Sequence, residues 1–292
     1  MLFYIVTPSY NARPWLRRCI RSVADQVCDG VEVHHHVQDG ASTDGTPAWL
    51  EQWQNEHRDT PAYTFTYESA KDKGMYDAIN LAWDKLPAEA DVTGHINCDE
   101  QYLPGALASM AQAFREHPEA DLIEGSFIIV DAEGRYICHR RPVHPHKLFC
   151  RTVCELITCA TFHKASTFRR HGIRFDTRYR SIGDVVFYRD IILSGARIVT
   201  VPQLFTTAYA LTGTNLAWTE VTQKEGAAYW ATLPRPYVWG HCFFYRYANL
   251  MRRVIDRFHP APKSFSTFPE DGSERLPQDI QHPTCRWNGR HS

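Results

Sequence analysis

An excess of charge, a long apolar run and a basic leader are all missing from this chain. Its 32 Lys and Arg nearly balance its 33 Asp and Glu, which gives a formal net charge of −1. Charge therefore gives no reason to expect nucleic acid as a partner. The first apolar run is cut at Pro8, and no basic residues precede it. We expect neither a signal peptide nor a membrane span there, and hence a cytoplasmic protein.

Two common nucleotide-binding signatures are missing as well. The chain has neither the Walker pattern of a P-loop nor the G-x-G-x-x-G of a dinucleotide site, so neither kind of site is expected. Its nine cysteines are odd in number and scattered, which favours reduced thiols over a disulfide scaffold. The length of 292 residues suits one broad α/β domain, or two fused halves with a tail.

What the chain does have is a regular alternation of strand and helix signals. Apolar, β-branched and aromatic runs predict strands at "LFYIVTP", "VEVHHHVQ", "YTFTYE" and "DVTGHINCDE". Helices are predicted between them, with Pro14 and Pro47 in first turns. A hairpin of "DLIEGSFIIV" and "RYICHRRP" follows. The order predicts an α/β fold in which helices flank a mainly parallel central sheet.

The most regular helix signal lies in "GMYDAINLAWDKL". Its apolar residues recur at helical spacing and predict one core-facing stripe, formed by Met75, Ala78, Ile79, Ala82, Trp83 and Leu86. Asp77, Asn80 and Asp84 share another face. Asp84 is interpreted as a solvated surface charge, whereas Asp77 and Asn80 lie one turn in from the strand edge and remain candidates for a functional site.

Two acidic loops follow predicted parallel strands. The loop "QDGASTDGT" comes directly after the second strand, and "NCDE" ends the fourth. Ligands of open α/β sheets bind at the carboxyl edge, so Asp39 and Asp99 are expected to line one crevice. The amides and hydroxyls of the first loop, together with a helix N-terminus, can receive a nucleotide. Asp39 can accept a hydrogen bond from a ribose hydroxyl or a base N–H.

The order of these segments resembles that of the family 2 glycosyltransferases, an inverting group with the GT-A fold. "TPSYNARPWLRRCIRSV" is similar to the family's opening strand and helix, and "QDGASTDGT" to its "DDGSTDGT" loop. "ESAKDKGMYDAINLAW" resembles its "DxGIYDAMNKG" segment, and "INCDEQYLPGAL" its metal-binding DXD region. Residues 160–198 resemble the acceptor side with its "ED…R…G" signature. The resemblance runs from about residue 2 to about residue 215 and implies the GT-A fold.

Carried over residue by residue, the resemblance implies a set of site residues. The implied donor-binding residues are Pro8, Tyr10, Asp39, Lys73, Asp77 and Asn97. The first two would lie beside the base, Asp39 would contact uracil or ribose, and Lys73 and Asp77 would lie near the sugar or its pyrophosphate. Asp99, with Glu100 nearby, would hold Mg²⁺ or Mn²⁺ on the phosphates. Asp184 would be the general base that deprotonates the acceptor hydroxyl.

Three positions depart from the family's pattern. Asn97 stands where the first DXD carboxylate is usual, Gly183 stands where a Glu usually precedes the catalytic Asp, and Arg189 falls one residue earlier than the pattern's Arg. Asn97 leaves the strength of metal use open, and the role of Arg189 is open too.

The function implied is that of a metal-dependent inverting hexosyltransferase. It would move a sugar from a nucleotide diphosphate, with UDP preferred, to a hydroxyl of a carbohydrate or lipid-linked acceptor in polysaccharide or glycolipid biosynthesis. One alternative is a nucleotidyltransferase that makes activated sugars, although the Gly-rich basic loop after the first strand is missing. The other is a non-catalytic nucleotide-sugar-binding module, which Asn97 makes conceivable.

Two groups of metal-ligating residue types have simpler interpretations. The residues of His34-His35-His36 alternate between the faces of a strand and cannot all reach one ion. Cys150, Cys154, Cys159 and His163 lack the CxxC spacing of a zinc knuckle. We interpret these cysteines as buried free thiols.

The domain boundaries expected from the sequence are a glycosyltransferase domain over 1–215, a helical extension over 216–258 and a poorly ordered tail over 259–292. Within the first, 1–100 would bind the nucleotide sugar and 101–215 the acceptor. "FFYRYANLMRRVIDRF" predicts a basic amphipathic helix. The preferred interpretation is that this helix packs on its own domain. The alternative is peripheral contact with an anionic membrane through residues 243–258.

Overall fold

The structure is a computed structural model that describes residues 1–152, 156–213, 219–270 and 274–287. Within these ranges the strands are β1 (Leu2–Ser9), β2 (Glu32–Asp39), β3 (Tyr63–Ser69), β4 (Val92–His95), β5 (Gln101–Tyr102), β6 (Leu122–Asp131), β7 (Tyr136–Arg140), β8 (Thr161–Lys164), β9 (Ile198–Leu211), β10 (Ser264–Thr267) and β11 (Leu276–Asp279). The helices are α1 (Arg13–Ala24), α2 (Thr46–Glu56), α3 (Met75–Trp83), α4 (Ala106–Glu116), α5 (Ala165–His171), α6 (Gly183–Ser194), α7 (Glu220–Ala231) and α8 (Arg235–Phe258). A 3₁₀ turn covers Thr158–Ala160.

Strand β1 shows why the sheet has helices on both faces. Its residues are apolar on both sides because successive side chains point to opposite faces. Phe3 and Ile5 belong to the core that holds Leu16 of α1. Tyr4 and Val6 belong to the opposite core, which holds Trp83 of α3. A strand buried on both faces is typical of an α/β sheet, so the predicted fold class is confirmed here.

The strand order fixes where a ligand can bind. The large sheet runs β3-β2-β1-β4-β8-β6-β9-β5, with β7 beside β6. Strand β1 pairs in parallel with β2 on one side and β4 on the other, so the chain reverses its direction of progress across the sheet at β1. The carboxyl ends of β1, β2 and β4 therefore border a crevice of the kind that binds ligands in open α/β folds.

The second half of the sheet is mixed. Strand β6 pairs in parallel with β9 and antiparallel with β7 and β8, and β8 also runs antiparallel to β4. The predicted hairpin exists as β6 and β7, but its first strand also joins the main sheet. A local pattern of alternating residues does not state which distant strand will pair, so the antiparallel half was not predicted.

The segment after residue 259 differs from the predicted disorder. Strands β10 and β11 form an antiparallel hairpin, and Phe265 and Ile280 pack in a core with Ile128 of β6. Arg275 bonds both carboxylate oxygens of Asp25, at 2.5 and 2.7 Å. The prediction was wrong for residues 264–267 and 276–279, because two four-residue strands carry too little pattern to detect and gain their stability from distant contacts.

Helix α8 begins earlier than predicted and is largely exposed. Its N-cap is Pro234, the helix starts at Arg235, and Pro236 lies in its first turn. Of its side chains only Ala248 is fully buried. None of the helices in the described ranges has the length and apolar character needed to cross a membrane.

Candidate active site

A cavity of about 810 Å³ opens at the crevice where β1 and β4 end. Its walls come from the loops after β1, β2, β3 and β4, from the start of α6 and from the end of β9. Sequence-predicted residues on these walls are Pro8, Tyr10, Asn97, Asp99, Glu100 and Asp184. The fold thus brings together residues that lie up to 176 positions apart in the chain. The volume is in the range of sites for small molecules and cofactors.

The loop after β2 is held rigidly by side chains. Asp39 is fully buried and accepts hydrogen bonds from Ser42 N at 2.9 Å, Ser42 Oγ at 2.5 Å and Ser69 Oγ at 2.6 Å. Asn11 bonds to the same loop. Its backbone N–H donates to Ser42 Oγ, and its side-chain Oδ1 accepts from Thr43 N. Asp39 therefore stabilises the loop through hydrogen bonds and does not line the cavity. A contact between Asp39 and a nucleotide stays a prediction.

Asp72 is a cavity residue that the sequence analysis missed. It lines the cavity with Gly40 and Tyr10, and a Cβ added at Gly40 would lie 2.9 Å from its Oδ2. Burial, with the charges of Asp77 and Asp39, raises the pKa of Asp72. A side chain at position 40 would therefore require the Asp72 carboxylate to shift. The signal that could have revealed Asp72 is the "KDKG" turn between β3 and α3.

The turn after β4 presents the acidic residues. Glu100 Oε2 accepts from Asn97 N at 2.8 Å, and Glu100 N donates to Asn97 O at 3.0 Å, so Glu100 closes the turn. Within the described residues, Asn97 Oδ1 is shielded from solvent and has no hydrogen-bond partner. A buried acceptor without a donor is costly. A cation or a ligand donor in the cavity would satisfy it.

Asp99 and Glu100 are adjacent carboxyl residues in the wall of the cavity. Burial raises the pKa of both carboxyls, and the charge of Asp99 raises that of Glu100 further. Arg18 of α1 lies close enough to lower the pKa of Asp99. Two buried neighbouring carboxylates disfavour each other's ionised form, and a divalent cation would relieve that repulsion. In the described residues no three His, Cys, Asp or Glu side chains are grouped to hold a metal.

Asp184 lies in the first turn of α6 and lines the same cavity. Burial raises its pKa to about 6. Its Oδ1 accepts from Val185 N at 2.9 Å, and the Tyr76 hydroxyl lies 3.5 Å away. A carboxyl with this pKa is ionised at neutral pH and basic enough to take a proton.

Gly183 has a structural reason. A Cβ at this position would lie 2.5 Å from Cε2 of the Tyr76 ring. The Tyr76 hydroxyl donates to Ser181 O at 2.7 Å and accepts from Asp184 N at 3.3 Å, so the ring is fixed against the turn. The Glu that is usual at this position in the family pattern cannot coexist with Tyr76 in this arrangement.

Glu225 of α7 braces the segment before α6. Its carboxylate accepts from three successive amides, those of Arg180 at 2.7 Å, Ser181 at 3.0 Å and Ile182 at 3.2 Å. These residues directly precede the helix turn that carries Asp184. No sequence motif pointed to Glu225, because its partners are more than 40 residues away.

Lys73 and Asp77 border a different, smaller cavity. Asp77 Oδ2 accepts from Lys73 N at 3.0 Å, and both residues line a groove of about 290 Å³ with Arg180. Gly74, Met75 and Tyr76 line both this groove and the main cavity. The donor role expected of Lys73 and Asp77 stays a prediction. Asn80 instead exchanges two hydrogen bonds with the backbone of Phe175, which gives it a structural role.

Other singled-out residues have local partners. His35 is bonded to Thr7 on one face of β2, and His34 and His36 are bonded to Thr66 on the other. Asp84 is exposed and pairs with Arg174. Cys150 and Cys159 are buried free thiols, as predicted. Cys154 lies outside the described residues.

The structure is thus that of an α/β protein with a cavity lined by Asp72, Asp99, Glu100 and Asp184 at the switch point of its sheet. The sequence identifies the family. The family model for glycosyl transferase family 2 matches residues 4–175, which is more than half of the chain, so the chain belongs to this family and contains a glycosyltransferase domain. No curated protein matches the chain.

Solved structures similar to this chain share the GT-A fold. The mannosyltransferase PcManGT from Pyrobaculum calidifontis, in complex with GDP-Man and Mn²⁺, has a TM-score of 0.57 at 19% identity over 87% of this chain and 71% of its own. TarS from S. aureus has a TM-score of 0.56 at 18% identity over 77% of this chain. Its 1–349 form in complex with UDP-GlcNAc has a TM-score of 0.55 at 18% identity, over 75% of this chain and 61% of its own. The chain spans 39% of the length of TarS.

Proposed function

We propose that the chain transfers a sugar from a nucleotide diphosphate to an acceptor hydroxyl, with inversion at the anomeric carbon and with Asp184 as the general base. One observation carries the proposal. Asp184, with its pKa near 6, and the Asn97–Glu100 turn line the same cavity at the sheet's switch point. Inverting transfer needs one base at the acceptor and positive charge at the leaving diphosphate.

The residues around the turn fit a divalent cation. Asp99 with Asn97 Oδ1 would hold Mg²⁺ or Mn²⁺, and phosphate oxygens and waters would complete its shell, as hard cations require. The bound cation would supply charge neutralisation of the leaving diphosphate. Glu100 would hold the turn in shape. Arg18 adds a second positive charge beside Asp99.

The donor side would be the region of Pro8, Tyr10 and Asp72. Two facts support a nucleotide there. Tyr10 is 66% exposed and can cover a base, and the rigid loop after β2 borders the cavity at Gly40. UDP is the preferred nucleotide of the donor. Structural neighbours carry UDP-GlcNAc in one case and GDP-Man in another, so both kinds of donor belong in the test.

The experiment is nucleoside diphosphate release from a panel of UDP-, GDP- and dTDP-sugars, with Mn²⁺, with Mg²⁺ and with chelator. We expect slow metal-dependent release from one donor. Asp99→Ala should weaken donor binding and metal dependence together. A matched control is Asp91→Ala, because Asp91 is exposed, lies outside the cavity, and has a carboxylate that accepts from Leu2 N.

Three outcomes would refute parts of the proposal. Full activity in chelator would exclude the metal. Incorporation from a nucleotide triphosphate with pyrophosphate release would favour a nucleotidyltransferase. Tight donor binding by calorimetry without release, in the presence of plausible acceptors such as polysaccharide or lipid-linked sugars, would favour a binding module.

A further inference from the structure

A third cavity lies between helix α8, strand β7 and the C-terminal segment. It has a volume of about 370 Å³ and shares no residue with the main cavity. Five of its lining residues are arginines: Arg140, Arg246, Arg252, Arg253 and Arg286. Tyr245 and Trp287 add aromatic walls. We call these residues together the arginine pocket.

Positive charge in the arginine pocket is concentrated without a lining acid. Among the described residues, no Asp or Glu lines it. Asp256, the single acidic residue of α8, instead accepts from Arg141 Nε at 2.8 Å and is bonded to His139 at 2.7 Å. Burial and the charge of Arg252 lower the pKa of Arg140 to about 10. Such mutual repulsion is relieved when an anion binds.

Exposed apolar side chains of α8 border the pocket, and Leu250 also lines it. Trp239, Phe243 and Leu250 are 75, 65 and 57% exposed. They follow the same helical stripe as Arg246 and Arg253, since the positions are spaced by three or four residues. We call Trp239, Phe243, Leu250 and the terminal Phe258, 81% exposed, the apolar stripe. A helix that joins exposed aromatics to arginines fits an anionic lipid surface.

We propose that the arginine pocket binds the phosphate headgroup of an anionic lipid while the apolar stripe enters the bilayer interface. The geometry supports this occupant over a protein partner because charge and apolar surface lie side by side along one helix. Guanidinium groups are the preferred partners of phosphate oxygens. Juxtamembrane arginines gain affinity from anionic lipids. The proposal is independent of which donor the main cavity takes.

The test is flotation of the full chain with vesicles of phosphatidylcholine, with and without phosphatidylglycerol. We expect wild-type protein to float only with the anionic vesicles. Arg246→Gln/Arg253→Gln should weaken that binding by on the order of tenfold relative to its control. The control is Arg58→Gln/Arg178→Gln, which removes the same charge from exposed positions outside α8 and outside both the main cavity and the arginine pocket. Equal loss in both double variants would overturn a specific pocket.

Two further experiments distinguish a lipid headgroup from a soluble anion in the arginine pocket, and a membrane from a second protein chain at the apolar stripe. Calorimetry with inorganic phosphate should show weak binding. Tight phosphate binding that is lost in Arg246→Gln/Arg253→Gln, with vesicle binding equal to that of the control, would assign the pocket to a soluble anion and overturn the lipid. Trp239→Ser/Phe243→Ser should lose vesicle binding. A wild-type dimer that this variant dissociates would make the stripe a subunit interface and overturn its membrane role.

Folding and donor chemistry supply independent readouts. Each variant should release nucleoside diphosphate at the wild-type rate without vesicles, since none of these residues lines the main cavity. Failure of the lipid proposal would thus leave donor release unchanged. Failure of the proposed function would leave flotation unchanged.

Discussion

At the scale of single residues, Asp184 is the most informative side chain. Its carboxyl is held at the start of α6 against the Tyr76 hydroxyl, and burial raises its pKa to about 6. In an unfolded chain an aspartate titrates near its ordinary value of about 4. The folded state therefore binds a proton more tightly than the unfolded state does, which links both activity and stability to pH.

We expect activity to rise through about pH 6, because only the ionised carboxylate can accept the proton of the acceptor. Asp184→Asn should lower kcat by on the order of 10²–10⁴-fold and leave donor affinity nearly unchanged. Transfer rates measured from pH 5 to pH 8 test the predicted rise of activity with pH. A variant that keeps the wild-type rate would remove Asp184 from the role of base.

Asp184→Asn should lower activity but raise stability. Above the unfolded pKa the folded state must ionise a buried carboxyl, so stability falls as pH rises from about 4 to about 6. Asp184→Asn removes that cost. Its free energy of unfolding at pH 8 should exceed that of the wild type by up to about 3 kcal/mol, and the difference should shrink at pH 4. Urea denaturation at the two pH values measures it.

Gly183 gives a second prediction at this scale. Gly183→Ala forces a methyl group to within 2.5 Å of the Tyr76 ring, which should destabilise the fold by on the order of 1–3 kcal/mol. Because the ring also bonds Asp184 N and Ser181 O, activity should fall with stability. A smaller partner provides the control. The double variant Tyr76→Ala/Gly183→Ala should lose less unfolding free energy than the sum of the losses in the two single variants. Strict additivity of the losses would mean that the contact between the methyl group and the ring is not the cause.

At the scale of elements, local pattern predicted the first half of the sheet well. Strand β1 is apolar on both faces, as Phe3 and Tyr4 illustrate. The helix start signals at Pro14 and Pro47 each lie one residue after the observed starts, Arg13 and Thr46. Helix α3 ends at Trp83 rather than near Leu86, because the chain turns there toward Pro87. Pairing of β6 with β9 depends on tertiary contacts that no local pattern contains.

The brace between α7 and α6 gives the prediction for this scale. Glu225→Gln keeps the size of the side chain but leaves an NH₂ group facing amides that need an acceptor. We expect kcat to fall by on the order of tenfold while KM for the donor changes little, because the loop that carries Asp184 loosens. The pH limb near 6 should shift as well, which a simple loss of folded protein would not cause.

A matched control for this variant is Glu220→Gln. Glu220 lies on the same helix, and its side chain pairs with Lys224 at the surface. Equal effects from the two substitutions, or an unchanged kcat for Glu225→Gln, would contradict the role of the brace.

At the scale of the whole molecule, the sequence located the site better than its details. The polar ends of β1, β2 and β4 could be predicted to meet, because parallel strands share a carboxyl edge. Asp184 came only from the resemblance, since it reaches the cavity from the other half of the chain. Asp72, Glu225 and Arg18 were missed because their importance comes from burial and from partners distant in sequence.

The attachment of the C-terminal hairpin is a property of the whole molecule and can be tested. Arg275 joins the hairpin to the first half of the chain through Asp25 and through Tyr102 O at 2.9 Å, and it also bonds Ser266 O at 3.1 Å. Its side chain is 12% exposed, so removing it leaves partners without a donor. Arg275→Ala should therefore lower the free energy of unfolding by on the order of 1–3 kcal/mol.

Amide hydrogen exchange offers the sharper measurement, because it separates local detachment from global unfolding. In Arg275→Ala the amides of residues 264–267 and 276–279 should exchange faster while those of β1 and β2 stay protected. The control is Arg178→Ala, whose guanidinium is 86% exposed and pairs only with the nearby Asp176; it should change neither. Fast exchange of the hairpin in the wild-type protein would instead support the disorder that composition predicts, and the contacts of Arg275 would then contribute nothing to its order.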